Sequence, residues 1–324
     1  MNELMCAPAT SPASMDSLTP EKGSLWAIVL AGGEGVRLRS VTRRLYGDDR
    51  PKQYAALVGA RSLLRQTLDR IGALIPPERT VVVTLASHAP YVEAELRGAD
   101  RPHVLAQPCD RGTAAGVLLP AHWIRSRDAD ATVVVFPSDH FVLEESAFMC
   151  HVADIARAAR HRPEEMILLG ARPTEPDAEY GWIEPGETVG RTARGPLSRI
   201  RRFREKPPAA EATLLFQSGG LWNMFVFAAP VSALVEAGRA CVPLLHDRLV
   251  RLGLFLGTQH EPWALRQAYT LAPTANFSRS VLEAGSVPLV VSTVSALTWC
   301  DLGTPLRVAR TLRSLGIPAA WLAS

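Results

Sequence analysis

Gly32, Gly33 and Gly35 fall within four positions directly after an apolar run ending at Leu30, and Arg37 and Lys52 stand just beyond them. Residues without a Cβ let backbone N–H groups approach an anion closely, and the two cations supply neutralising charge. The segment reads as a phosphate loop leaving a strand, with a nucleotide as its ligand. Two commoner loops do not fit it. A dinucleotide fingerprint needs a third glycine where Leu38 stands, and a Walker loop ends in Gly-Lys-Ser/Thr, which is absent. Taken alone, the segment could equally be a glycine turn flanked by surface arginines.

Further groups able to do chemistry follow along the chain. Phe136-Pro-Ser-Asp139-His140 sets a carboxylate just past a buried strand, where hard oxygens suit a divalent cation bridging phosphates; a turn or helix-cap role is the alternative. Trp299-Cys-Asp301-Leu-Gly303 repeats the arrangement, with Asp301 also a candidate N-cap for a helix beginning near Pro305. Arg201-Arg-Phe-Arg-Glu205-Lys206-Pro207 could set Lys206 on a sugar phosphate and Glu205 on ring hydroxyls, or be a solvated basic face. Gln107 offers an amide to the edge of a base, and the helix opening at Gly112-Thr113 can face a phosphate, unless the segment is simply a capped connection. Tyr180-Gly181-Trp182 and Trp222-Asn223-Met224-Phe225 put small or amide residues between aromatics, as core strands or the walls of a sugar pocket do.

Positioning such groups requires a regular frame. Short β-branched runs at 25–30, 80–85, 103–106, 132–136 and 166–170 alternate with amphipathic stretches at 62–75, 89–97, 113–127 and 144–160. That alternation predicts an α/β protein whose parallel sheet is covered on both faces, with ligands at the carboxyl ends of the strands. The second half breaks the rhythm. Strands are expected at 182–184, 200–203, 222–227 and 287–291, with fewer helices, more turns and a hairpin connection across 191–196. The expected organisation is one composite domain over 24–315, comprising a nucleotide half of about 24–170 and a sugar half of about 171–315. A flexible tail at 1–23 and a short tail at 316–324 flank it.

Composition narrows the partners. The 324-residue chain carries a net charge of only +3, with basic residues in short clusters near glycines and prolines, so nucleic acid is not an expected partner. Cysteines at 6, 109, 150, 241 and 300 show no paired spacing and read as reduced thiols. No signal peptide is recognisable in 1–23, and the apolar stretch 221–238 is interrupted by Asn223, Pro230 and Glu236. A cytoplasmic protein without membrane contact is expected.

Taken in order, LAGGEGVRLRS, RPKQY, QPCDRGTA, FPSDH, EYGWIEPG, RFREKP, LWNMF and WCDLGT resemble the sugar-1-phosphate nucleotidylyltransferases, most closely the mannose-1-phosphate guanylyltransferases. The resemblance implies a glycosyltransferase-A-like, Rossmann-type fold: a mixed, mostly parallel sheet with helices on both faces and a smaller substrate lobe. It implies transfer of GMP from GTP to α-D-mannose 1-phosphate, giving GDP-mannose and pyrophosphate. By that likeness Gly32, Gly33, Glu34, Gly35 and Arg37 wrap the nucleotide, with Arg37 and Lys52 on the triphosphate. Gln107, Gly112 and Thr113 lie near base and ribose; Gly181, Glu205 and Asn223 meet sugar hydroxyls and Lys206 the sugar phosphate. Asp139 and Asp301 hold Mg²⁺, and Arg37, Lys52, Asp139 and Lys206 form the catalytic set. The sugar phosphate is already an anionic nucleophile, so the chemistry expected is a single in-line displacement without a general base.

Departures from the pattern bear on the sugar. Arg39-Ser40-Val41 stands where an aromatic and proline are usual, and 43–50 is a polar insertion. The usual Trp-Asn-Ser-Gly-Met-Phe reads Trp222-Asn223-Met224-Phe225, without its Ser-Gly pair. Alternatives are another pair, such as GTP with a heptose 1-phosphate or UTP or dTTP with glucose 1-phosphate, and a non-catalytic sugar-nucleotide sensor. A homodimer is compatible with the resemblance, and no phosphomannose isomerase activity is expected.

Overall fold

The structure, a computed structural model, describes residues 24–98 and 101–317. The expectations for 1–23 and for most of 316–324 concern residues outside that range.

Valine-rich runs determine the centre of the molecule. Val81 to Val83 and Val133 to Val135 are buried throughout, as β-branched side chains are when helices cover both faces of a sheet. The strands are β1 (Leu25–Leu30), β2 (Thr80–Leu85), β3 (His103–Gln107), β4 (Thr132–Pro137), β5 (Phe141–Val142), β6 (Met166–Ala171), β7 (Gly181–Thr192), β8 (Gly195–Glu205), β9 (Leu221–Pro230), β10 (Leu289–Val294) and β11 (Trp299–Cys300). Nine of them form one sheet in the order β3-β2-β1-β4-β9-β6-β10-β8-β7. β1 lies parallel to β2 and β4, β2 to β3, and β10 to β6. β9 runs antiparallel between β4 and β6, and β8 antiparallel between β10 and β7. The mixed, mostly parallel sheet expected of the sequence is present.

The helices are α1 (Arg39–Tyr46), α2 (Leu63–Gly72), α3 (Ala89–Glu95), α4 (Gly112–Arg125), α5 (Glu145–Arg160), α6 (Ala209–Gln217), α7 (Val231–Cys241), α8 (Pro243–Gly253), α9 (Glu261–Leu271) and α10 (Pro305–Ser314). One face of the sheet packs on α2, α3 and α5 through Leu64, Ile71, Val92, Phe148 and Ile155. The other packs on α4, α7, α8 and α9 through Val117, Leu118, Leu234, Leu245 and Tyr269.

The second half is richer in helix than expected, holding α6 to α10. Pro305 opens α10, the helix expected near it, and Pro243 and Pro262 likewise occupy the first turn of a helix, where a missing N–H costs nothing. Pro230 likewise divides the apolar stretch at 221–238 into β9 and α7. Among the described residues no helix is long and apolar enough to cross a membrane. The polar insertion at 43–50 is another difference. Its first half completes α1, which Gly47 ends at φ +77 with an N–H to the Arg43 carbonyl, and Asp49 then pairs back to Arg43. The hairpin at 191–196 is as read, tight between Thr192 and Gly195.

One pairing matters most for the site. The first residues of β7 lie beside β9, Trp182 opposite Trp222 and Ile183 opposite Leu221, while Gly181 pairs with Glu205 of β8. Gly181, Glu205 and Asn223 are thereby drawn from three strands to one corner.

Candidate active site

The glycine loop leaves β1 at the carboxyl end of the parallel strands and is pinned from below. Ala31 donates its N–H to Val83 at 2.7 Å, while its carbonyl accepts from Gln53 Nε2 at 2.9 Å and from the Tyr54 hydroxyl at 3.0 Å. Gln53, fully buried, also donates to the Gly33 carbonyl at 2.8 Å. The RPKQY segment thus shapes the loop as well as supplying Lys52, a role the sequence reading did not assign to Gln53 and Tyr54. Gly35 sits at φ +61, and a Cβ there would lie 2.8 Å from the Lys52 backbone nitrogen, so the turn requires glycine. A Cβ on Gly33 would meet nothing within 4 Å; that side of the loop is open for a ligand. Beside Gly32 lies the buried Gln107, whose Oε1 accepts from the Tyr269 hydroxyl at 2.9 Å. Two charged groups of the loop are engaged at the surface: Glu34 with Arg39 at 2.6 Å, and Arg37 with Glu179 at 2.8 Å.

Lys52 joins the loop to both expected aspartates. Its ammonium donates to the Asp301 main-chain carbonyl at 2.7 Å and stands 3.2 Å from Asp139 Oδ2. Asp139, at the carboxyl end of β4, has the largely buried His140 on its other side at 3.8 Å. Burial pushes the His140 imidazole down to about 4, against the pull of Asp139, so the ring is neutral near pH 7; its Nδ1 accepts from the Trp299 indole at 3.3 Å.

Asp301 is held differently. Both its oxygens accept from Arg307 Nη1 at 2.9 Å, and Oδ1 also takes the Tyr180 hydroxyl at 3.1 Å and the Gly303 N–H at 3.0 Å. Burial alone would raise this carboxyl, but His140, Arg307 and Lys52 bring it below its ordinary value. Asp301 is not the N-cap of α10; Thr304 is, accepting from the Arg307 N–H at 3.3 Å. Arg307 reaches on to Asp177 at 2.5 Å and lies over the Tyr180 ring. Neither Arg307 nor Asp177 carried a sequence signal, because their meeting depends on α10 docking against the β6–β7 connection.

The adjoining cavity, about 200 Å³, is lined by Gly181, Glu205, Asn223, Phe225, Ser278 and Asp301, together with Thr113, His140 and Tyr180. A Cβ on Gly181 would lie 2.8 Å from Glu205 Oε2 and 3.1 Å from the Phe203 ring, so glycine makes room for the carboxylate. Burial raises the Glu205 carboxyl above its ordinary value, tempered by Lys206, by a hydrogen bond with Ser278 and by Arg279. A larger hollow of about 470 Å³, bordered by Pro163, Glu236 and Pro288, opens at the amino ends of β6 and β10 and holds none of the motif residues. Ligands in open α/β sheets bind at the opposite ends, where the smaller cavity lies.

Of the four non-glycine residues with positive φ among those described, Lys206, Phe225 and Leu302, at φ +50, +55 and +48, are next to or within the site, while Ala296 at +57 is not among its residues. Register along β9 is irregular between Asn223 and Phe227, and Phe225 takes its left-handed conformation within that irregular stretch.

Other expected residues meet the site less directly. Gly112, at φ +77, is walled against Ala275, whose carbonyl oxygen a Cβ would approach to 2.3 Å. Thr113 Oγ1 accepts the Phe277 N–H at 2.8 Å, so both residues anchor the 275–277 segment that forms the cavity's far side. The Lys206 side chain is exposed beside Glu205 and does not line the cavity.

A glycine loop pinned by Gln53, a lysine spanning two aspartates and a cavity between β7, β8 and β9 agree with one family comparison. A family model described as nucleotidyl transferase matches residues 26–308. The chain belongs to the nucleotidyl transferase family. Among relatives of this nucleotidyl transferase, Xanthan biosynthesis protein XanB of Xanthomonas campestris pv. campestris is 29% identical over 86% of this chain and 57% of its own length. A mannose-1-phosphate guanylyltransferase of Escherichia coli is 31% identical over 63% of this chain and 43% of its own. The chain thus spans about half the length of these relatives. A solved structure titled mannose-1-phosphate geranyltransferase, from Thermus thermophilus, is 30% identical with a TM-score of 0.72, over 86% of this chain and 76% of that one. A putative glucose-1-phosphate thymidylyltransferase from Bacillus anthracis, 16% identical with a TM-score of 0.56, shares the fold over 90% of this chain and 95% of that one.

Divalent metal is general in this family's chemistry, and the donor set can be tested for it. Among the described residues no three His, Cys, Asp or Glu side chains are grouped to cage an ion. Mg²⁺ needs no such cage, since it is commonly held by one or two carboxylates together with substrate phosphates and water. Asp139 fits that use, having hard oxygens whose only close cation among the described residues is Lys52. Asp301 could join only through Oδ2, which it shares with Arg307.

Proposed function

We propose that this nucleotidyl transferase transfers GMP from GTP to α-D-mannose 1-phosphate, releasing pyrophosphate and forming GDP-mannose. The observation that carries the reading is Lys52, which stands between the open glycine loop and the cavity of Gly181, Glu205 and Asn223 and contacts both Asp139 and Asp301. A polyanion on the loop and an anionic nucleophile in the cavity would meet across that lysine. The mannose-1-phosphate names of two relatives support the sugar and the guanylyltransferase name of one supports the base.

In this reading the open face of Gly33 and the N–H groups of the loop hold the triphosphate, and Arg37 exchanges Glu179 for a phosphate oxygen. Lys52 screens the repulsion between the two anions and stabilises charge on the departing pyrophosphate. Glu205 and Asn223 orient the sugar, Lys206 meets its phosphate from the rim, and Gln107 with the Gly112-Thr113 turn borders the base and ribose. Mg²⁺ held by Asp139, and by Asp301 through Oδ2, supplies further charge neutralisation when bound. The neutral His140 takes no proton from the sugar phosphate, which is already ionised near neutral pH.

The test is pyrophosphate release over a matrix of GTP, ATP, UTP and dTTP against mannose, glucose and heptose 1-phosphates with Mg²⁺. Release confined to GTP with mannose 1-phosphate is expected. Binding without release for every pair would favour a sensor and overturn the reading. A different hexose 1-phosphate is the second reading, favoured by the aromatic ring of Phe225 in the cavity.

A further inference from the structure

We propose that Phe225 is a specificity-determining residue of the sugar subsite, its ring forming the apolar wall that selects hexose 1-phosphates presenting a C–H face or a deoxy carbon to it. The inference rests on the cavity between β7, β8 and β9 being the sugar subsite of a nucleotidyl transferase.

The backbone at Phe225 is the starting point. At φ +55 it adopts a conformation that glycine takes freely and that a bulky aromatic resists. Asn223 enforces it, since its Oδ1 accepts the Phe225 N–H at 3.0 Å. An aromatic kept in a strained backbone inside a ligand cavity points to a use for its ring, because the same turn is available to glycine without strain.

The ring is fixed as well as strained. It lies edge-on to Phe227 at 6.1 Å and to Phe277 at 6.3 Å, and those two stack on one another at 5.3 Å, so Phe225 caps a buried aromatic group and turns its remaining surface to the cavity. Polar groups line the cavity beside it, Asn223, Glu205, Asn276, Ser278 and Thr113, together with Pro137 and two further aromatics. The other aromatics at this cavity carry polar atoms already in use, the Tyr180 hydroxyl on Asp301 and the Trp299 indole on His140. Phe225 alone among these three has no polar atom to offer a sugar. A hydroxyl pointed at it loses water and gains no partner, whereas a C–H group loses nothing.

An apolar wall discriminates against one added hydroxyl by about tenfold to a hundredfold. The experiment measures kcat/KM with GTP and Mg²⁺ for mannose 1-phosphate and its 2-, 4- and 6-deoxy analogues in the wild type, Phe225→Gly and Phe225→Asn. Glycine and asparagine both accept positive φ, so each variant is compatible with the backbone, and asparagine adds a hydrogen-bonding group where the ring stood. One deoxy analogue is expected to match or exceed the parent in the wild type. Both variants should move that ratio at least tenfold toward the parent, with the GTP KM changed less than twofold. Unchanged ratios in both variants with an active wild type would overturn the role of Phe225. Absence of pyrophosphate release from the wild type with every sugar would instead overturn the functional reading, and this inference with it.

Discussion

Lys52 donates its ammonium to the Asp301 main-chain carbonyl at 2.7 Å while standing 3.2 Å from the Asp139 carboxylate, tying residues from either end of the chain into one site. Lys52→Met removes that tie and leaves a mostly buried carboxylate without its cation. Stability should fall by about 1–3 kcal/mol, the cost of stranding buried polar groups, as read from urea unfolding. Turnover should fall at least a hundredfold, far beyond what the stability loss explains. A variant that keeps wild-type kcat would remove Lys52 from the chemistry.

Gly181 gives a sharper test of the sugar subsite. A methyl group there would lie 2.8 Å from Glu205 Oε2, the end of a side chain that can swing away, and 3.1 Å from the Phe203 ring. Gly181→Ala should therefore fold, with its carboxylate neighbour displaced. The expected signature is a KM for sugar 1-phosphate raised more than tenfold beside an unchanged KM for GTP. Equal increases in both would place Glu205 outside the sugar subsite.

The contrast between these residues shows what could be read in the chain beforehand. The strand positions, Lys52, Asp139 and Asp301 were legible because a β-branched run followed by a carboxylate or a glycine cluster is a local pattern. Arg307, Asp177 and the Asn276–Ser278 wall were not, because their placement at the cavity depends on α10 and the 275–277 segment docking across the sheet. Phe225 was legible as a residue, but its left-handed φ of +55 was not, because no local pattern announces an aromatic in that conformation. The helix near Pro305 was legible, but the number of helices in the second half was underestimated, because proline marks both a break and a helix start and sequence alone does not say which.

Glu205 predicts a pH dependence. Its carboxyl is raised above the ordinary 4.5 in the folded protein, with burial the main cause. As pH climbs past 4.5 the unfolded chain releases this proton first, so the unfolded state is favoured increasingly until the folded group also ionises. The contribution of Glu205 to stability is greatest below 4.5 and declines above it. Glu205→Gln should flatten that decline, seen as a smaller drop in urea midpoint as pH rises above 4.5 than in the wild type. Identical slopes would count against the shift.

Gly112 tests the anchoring of the cavity's far wall. It holds φ +77, and a Cβ would come within 2.3 Å of the Ala275 carbonyl, a backbone atom unable to yield cheaply. Gly112→Ala should cost about 1–3 kcal/mol from the left-handed conformation alone, with the clash adding to it. Thermal unfolding would register the loss, and a Tm within a degree of the wild type would contradict it.

Divalent metal separates the two aspartates. Asp139 has Lys52 as its only close cation among the described residues, whereas both oxygens of Asp301 are bound by Arg307. If the ion rests mainly on Asp139 and the phosphates, chelation with EDTA abolishes pyrophosphate release and added Mg²⁺ restores it. Asp139→Asn should then raise the Mg²⁺ concentration for half-maximal rate at least tenfold and cut the maximal rate. Arg307→Lys, which loosens the bidentate hold on Asp301, should shift that Mg²⁺ requirement less than threefold while lowering thermal stability. The opposite order, with Arg307→Lys changing the metal requirement more than Asp139→Asn, would move the ion to Asp301 and leave Asp139 as the partner of Lys52.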